Sequence, residues 1–350
     1  MAFLAGGMSE MGGSQHLTSR LVPAVCLVVA LALPFLAPTY YVQFASKAMI
    51  MGILAMALNL AVGQGGMVSL CHAAFFGLAG YVLALVAGRY DPPSLLTTLP
   101  IAVAASAFAA LVIGALALRT RGVYFIMVTL AFGEMLFYFF HDTKFAGGSD
   151  GAFVYFKPVL EIAGMTLLDL DKPSVFYFVV LALLVGTIAL LTMLVRSPFG
   201  HALSAARDNE RRARSLGFPV FRVRLTAFVI SGALAGLSGY FAAAQFGFVA
   251  PQMLGWHVSA TALVMVLIGG LRSVTGPLVG ALVLIGLEEV LKASTDYWKL
   301  IEGLIVIAIV LALPNGVRQL MPLLFGPSDD DAPTPVKDRI VKSATGASRG

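Results

Sequence analysis

Leu225-Thr-Ala-Phe-Val-Ile-Ser-Gly-Ala-Leu-Ala-Gly-Leu-Ser-Gly-Tyr-Phe-Ala-Ala-Ala-Gln-Phe-Gly247 contains no charged side chain. About 20 predominantly apolar residues in an α-helix span the ~30 Å hydrocarbon core of a bilayer. The stretch therefore reads as a membrane span. From Ser231 to Gly239 it repeats small residues at a spacing of four. Such faces let helix backbones approach closely in lipid, which predicts a helix packed inside a bundle.

The whole chain has the same character. Of its 350 residues, 59% are hydrophobic and 12% charged, against roughly a quarter charged in a soluble domain. A chain this apolar needs lipid as its solvent. The net charge of +5 shows no nucleic-acid footprint, because the basic residues are not interleaved with aromatics on a soluble fold. Cys26 and Cys71 lie in apolar runs and suggest neither a disulfide framework nor a metal cluster. Residues 1–20 hold one basic residue, Arg20, before a long apolar run, so no cleaved signal peptide is expected.

Outward from 225–247, the pattern predicts an all-α, polytopic transmembrane helix bundle of about ten spans. They fall near 21–37, 44–62, 66–87, 99–118, 122–140, 174–195, 225–247, 252–270, 275–292 and 298–313. The count drops to eight if the eighth and ninth form one re-entrant hairpin. Basic residues set the orientation. The loop 196–224 carries seven arginines. If it is cytoplasmic, the cytoplasmic side holds 16 basic residues and the outer side 6, with Lys47 inside a span. Both termini are then cytoplasmic. The expected organisation is a short N-terminal segment over 1–20 and a transmembrane domain over 21–315. That domain has an outer loop at 141–173, and a polar tail at 316–350 follows it. The tail is too polar to fold alone and is expected to be disordered.

The loop 196–224 is the most informative segment. Pro198 and Gly200 end the preceding span, and helix formers follow from about 201. Asp208–Arg212 and Glu210–Arg214 stand four apart with the acid first, the better order for helical ion pairs. Gly217 suits a left-handed helix end and Pro219 blocks continuation. A short charged helix at the membrane surface results, in a position suited to docking a cytoplasmic partner.

The pattern Gly200…Arg207-Asp208-Asn209-Glu210-x-x-Ala213-x-x-Leu216-Gly217-Phe218, leading into Ala227-Phe228-Val229-Ile230-Ser231-Gly232, resembles the LivM-type permease subunits of the branched-chain amino-acid ABC importer family. Four further blocks resemble that family in order. They are Asn59-Leu60 and Gly63 with Ser69–Gly77; Arg121–Phe125 with Val128–Glu134; Gly147–Gly151; and Gly269-Gly270 with Gly276-Pro277 and Gly280-Ala281. Cys71 and Arg272 stand where the family usually has glycine, and Thr261 where an acidic residue is common.

The resemblance implies a permease subunit in the bacterial cytoplasmic (inner) membrane. It would transport branched-chain amino acids or related small polar solutes. Its implied partners are a second related permease subunit, two cytoplasmic ATPases that bind ATP and Mg, and an extracytoplasmic substrate-binding protein. The chain has no Gly-x-x-x-x-Gly-Lys-Ser/Thr loop of its own. The resemblance makes 201–217 a coupling helix, with Asp208, Asn209, Glu210, Ala213, Leu216 and Gly217 as ATPase contacts. Polar groups inside spans are costly and often functional, so Asn59, Gln64, Ser69, His72, Thr129 and Glu134 are candidates for the translocation pathway.

Two alternatives are a secondary, ion-coupled transporter and a polytopic membrane enzyme. Mid-span charges are scarce for the first. For the second, His16, His72, His141, His201 and His257 are scattered rather than clustered, so no catalytic residue and no metal site is expected.

A faint correspondence links Gly63–Ser69 with Gly269–Gly276. Both are glycine-rich turns between two spans on the expected cytoplasmic side.

Overall fold

Helix dominates because the apolar runs are long and backbone groups away from water must pair within the chain. A computed structural model describes residues 28–88, 92–162 and 165–312. Helix α1 (Thr39–Asn59) runs on into a π-turn at Leu60–Gln64. It is followed by α2 (His72–Val86), α3 (Leu95–Ala117), α4 (Val123–Asp142), α5 (Pro173–Arg196), α6 (Pro198–Asp208) and α7 (Glu210–Ser215). After these come α8 (Val220–Phe246), α9 (Trp256–Gly269), α10 (Gly276–Ser294) and α11 (Trp298–Ala312). The expected segments 1–20 and 316–350 lie outside the described residues, as does Cys26.

Each of the ten expected spans contains helix. Among the described residues, five helices are long and apolar enough to cross a membrane: α1 with its π-turn, α3, α4, α5 and α8. At 1.5 Å per residue, the 15 residues of α2 and the 14 of α9 fall short of ~30 Å. Both shortfalls have a local cause. Residues 66–71 are non-helical instead of continuing the expected span 66–87, and Gly66 there has φ +67°. Before α9, Pro251–Leu254 form a 3₁₀ turn and Gly255 is extended.

Helices α1 and α8 form the centre. Their most apolar windows are 83% and 78% buried, against 28%, 22% and 28% for α3, α4 and α5, which present apolar side chains outward. The small residues of α8 explain how it is surrounded. A Cβ on Gly232 would collide with Ala110 of α3, one on Gly236 with Ser106 of α3, and one on Gly239 with the Phe76 backbone of α2. The serines face α1: Ser238 Oγ donates to Ile50 O at 2.6 Å, and Ser231 Oγ donates to Ala57 O. Tyr240 Oη and Thr98 Oγ1 of α3 share a hydrogen bond of 2.6 Å.

The outer loop is more structured than a polar loop requires. Strands β2 (Val159–Ile162) and β3 (Met165–Asp169) form an antiparallel hairpin. β1 (Ala152–Phe153) pairs with β4 (Phe248–Val249), which ties the loop to the turn after α8.

The expected single coupling helix over 201–217 is two helices. α6 starts at Pro198, immediately after Ser197, and the chain breaks at Asn209 (φ −155°, ψ 97°) before α7. Side-chain caps explain both starts. Ser197 Oγ accepts from Gly200 N–H at 3.4 Å and Asn209 Oδ1 from Arg212 N–H at 3.0 Å. Each cap satisfies an N–H that a helix start otherwise leaves unpaired.

Candidate functional site

The break at Asn209 reorganises the charges of the α6–α7 segment. Asp208 and Arg212 no longer share a helix face, and Asp208 Oδ1 accepts from Arg207 Nε at 3.0 Å instead. The expected Glu210–Arg214 pair is present at 2.6 Å. Glu210 also receives Arg121 Nη2 at 3.2 Å and Arg224 Nη1 at 3.0 Å. One carboxylate thus gathers guanidiniums from α7, from α8 and from the turn between α3 and α4. Its side chain is only 18% exposed. Ala213 is buried with Ala206 and Val220. Asp208, Asn209, Leu216 and Gly217 remain on the surface, with Leu216 at 69%. Gly217 closes α7 in the left-handed region at φ +85°, as its sequence position predicts.

Arg207 points the other way. Its Nη1 donates to Gly63 O at 2.6 Å, in the π-turn that ends α1. There the two glycine-rich turns meet. Asn59 Nδ2 donates to Ser273 O at 2.7 Å and Gln64 Nε2 to Arg272 O at 3.4 Å. Gly63 lies so close to Leu271 O that no Cβ would fit. Asn59 Oδ1 is buried without a partner. A cavity of about 10 Å³, lined by Asn59, Gln64 and Val274 among others, is at the lower limit for one water. Arg272 is exposed.

Ser69, His72 and Thr129 lie deeper, and all are buried. His72 Nε2 is 2.7 Å from Ser231 Oγ and Nδ1 is 3.2 Å from Ser69 Oγ. Ser231 gives its proton to Ala57 O, so it accepts from Nε2–H, and Ser69 donates to Nδ1. The neutral, Nε2-protonated ring satisfies both nitrogens. Thr129 Oγ1 accepts from Leu70 N–H at 3.3 Å, and Ser259 Oγ of α9 accepts from Ala73 N–H at 2.8 Å. These bonds hold the irregular segment before α2 against α4 and the first turn of α2 against α9. Cys71 packs opposite Gly133 of α4, 3.5 Å from where a Cβ there would stand.

Glu134 is half-buried on α4. Its Oε1 accepts from Trp256 N–H at 3.3 Å, so it faces the first turn of α9. An anion is stabilised there by the unpaired N–H groups and the helix dipole. Thr261, also on α9, is exposed and donates to His257 O at 2.9 Å. Among the described residues no cluster of His, Cys, Asp or Glu could hold a metal ion.

The structure therefore places Asn59 and Gln64 together at the meeting of the glycine turns, Ser69, His72 and Thr129 in the buried network, and Glu134 apart at α9. Reasoning from sequence missed Arg207, Ser231 and Ser259. Arg207 carried a signal, since it opens the charged run of the loop. Ser231 was masked by the small-residue stripe that hosts it.

Comparison with known proteins agrees with this architecture. Residues 40–310 match the family model described as the permease component of branched-chain amino acid transport systems. The chain is 32% identical to the high-affinity branched-chain amino acid transport system permease protein LivM of Salmonella typhimurium, over 83% of this chain and 73% of that protein. It is likewise 32% identical to LivM of Escherichia coli K12, over 85% and 74%. The probable branched-chain amino acid transport permease protein LivH of Methanocaldococcus jannaschii is 32% identical over 40% and 46%. No solved structure matches the chain. A predominantly helical bundle with helices long and apolar enough to cross a membrane, a family model matched over residues 40–310 and two relatives at 32% identity lead to one conclusion: the chain belongs to the family of branched-chain amino acid transport permease components.

Proposed function

We propose that this permease subunit pairs with a second, related permease in the bacterial cytoplasmic membrane and carries branched-chain amino acids or similar small polar solutes inward. Two cytoplasmic ATPases, which bind ATP and Mg, drive the cycle, and an extracytoplasmic binding protein delivers the substrate. The relatives' names and the family match support the substrate class. The apolar runs support about ten crossings, or eight if the eighth and ninth form one re-entrant hairpin, and the charge asymmetry supports both termini inside. In this reading the non-helical residues 66–71 complete the crossing of α2, and the turn 251–254 completes that of α9.

The observation that carries the mechanism is the two-sided α6–α7 segment. Asp208, Asn209, Leu216 and Gly217 are exposed for an ATPase groove, while Arg207 holds the Gly63 carbonyl. Glu210 and Ala213 support that surface from beneath: the carboxylate fixes α7 to α8, and the buried methyl seats it. ATPase movement would pass through α6 to the glycine turns, where Asn59 and Gln64 line the inner end of the pathway. Glu134 contributes a pathway carboxylate, and Ser69, His72 and Thr129 keep its wall rigid.

Reconstitution with the second permease, the ATPases and the loaded binding protein tests this reading. Leu216→Asp places a charge in the docking face without touching an internal bond. ATP hydrolysis and transport should separate, with transport per ATP falling about tenfold or more, as for a docking hot spot. Full coupling in this variant would overturn the docking assignment.

A further inference from the structure

A cavity of about 200 Å³ lies where α3 ends and α8 begins, at the edge of the α6–α7 segment. Arg119, Arg121, Arg214 and Arg224 line it, against one carboxylate, Glu210. Four guanidiniums against one acid leave a surplus of positive charge, and among the described residues Arg119 has no ion pair. Two further features point to a missing acceptor. Arg224 is only 21% exposed, and its Nε is buried without a hydrogen-bond partner. The first turn of α8 also reaches the cavity through Val220 and Phe221, and Pro219 supplies no side-chain cap. At the start of this 27-residue helix Val220 N–H donates to Phe218 O, which leaves the N–H groups of Phe221 and Arg222 open to an anion.

The surroundings indicate the source of that anion. α3 and α4, whose ends carry Arg119 and Arg121, are among the least buried helices. Leu116, Val123, Tyr124 and Met127 near those ends are exposed and apolar. A ligand here would meet basic groups at its head and an apolar surface beside them. Guanidinium forks match the oxygen geometry of a phosphate. We propose that this cavity binds a phosphate group, filled in the membrane by the headgroup of an anionic phospholipid whose chains lie along α3 and α4. Such a lipid would brace α7 and the α3–α4 turn against α8.

The test uses the full chain in detergent with added phosphatidylglycerol or phosphatidylcholine, read by native mass spectrometry of retained lipid. Wild type should retain phosphatidylglycerol in preference to phosphatidylcholine. Each arginine near an anionic surface contributes about fivefold, so Arg119→Gln with Arg121→Gln should erase about twenty-five-fold of that preference. Leu96→Gln, an exposed change on α3 away from the cavity, should leave the preference intact and controls for general loss of lipid. Equal retention of the two lipids by wild type, or a preference unchanged in the double variant, would overturn the proposal. Displacement by inorganic phosphate without any lipid preference would overturn the lipid assignment.

Discussion

Arg207 and Gly63 are joined by a 2.6 Å hydrogen bond from a guanidinium to a backbone carbonyl, across 144 residues of sequence. Arg207 belongs to α6 and Gly63 to the π-turn that ends the central helix α1. The methylene groups of Arg207 also cover Gly66, where a Cβ would meet Cγ at 2.7 Å. In the proposed cycle a movement of α6 would reach the first glycine turn through this bond. The second turn is joined to the first through Asn59 and Gln64, which hold the carbonyls of Ser273 and Arg272.

Replacing that guanidinium should uncouple the two. A hydrogen bond to a charged group is worth about 1.5–3 kcal/mol. Arg207→Met keeps the apolar cover over Gly66 and removes only the bond. In the reconstituted transporter ATP hydrolysis should continue while transport falls roughly tenfold or more, since about 1.4 kcal/mol is a factor of ten. Arg207→Lys should recover part of the loss. Parallel losses of hydrolysis and transport would show instead that α6 no longer docks.

The helices of this bundle were legible because long apolar runs have few alternatives in lipid, and the close-packed face of α8 was legible in its small residues. The break at Asn209 was not. Charges spaced for i,i+4 pairs run through it, and only the competing side-chain cap from Asn209 to Arg212 N–H decides for two helices. The inward turn of Glu210 was equally hidden, because Arg121 and Arg224 reach it from other elements. Long-range polar contacts such as Asn59–Ser273, 214 residues apart, leave no local periodicity to read. Gly66 and Gly270 of the two faintly similar glycine turns both adopt positive φ, +67° and +96°, but the sequence did not show that the turns touch.

His72 should behave as a structural residue. Its ring bridges Ser69 and Ser231 and joins α2 to α8, while Ser231 passes the connection to α1. Interhelical hydrogen bonds in membrane proteins contribute about 0.6 kcal/mol on average and up to about 1.7. A double-mutant cycle of His72→Ala and Ser231→Ala, read by thermal unfolding in detergent, should give a coupling energy within that range. Additive losses would show that the two side chains act independently.

Glu134 gives the sharpest distinction between a helix cap and a transport residue. Its carboxylate accepts from Trp256 N–H at the start of α9 and is half-buried beside exposed surface. As a cap alone, its charge would contribute about 0.3–1 kcal/mol through the helix dipole. Glu134→Gln keeps the length and an acceptor oxygen, so the thermal midpoint should fall only slightly. An amino-acid substrate carries an ammonium group, and a carboxylate on the pathway would hold it where a neutral amide would not. Transport at saturating loaded binding protein should therefore fall about tenfold in Glu134→Gln, a loss near 1.4 kcal/mol and beyond what the cap supplies. Wild-type transport with the same small loss of stability would leave Glu134 as the cap of α9 and remove it from the pathway.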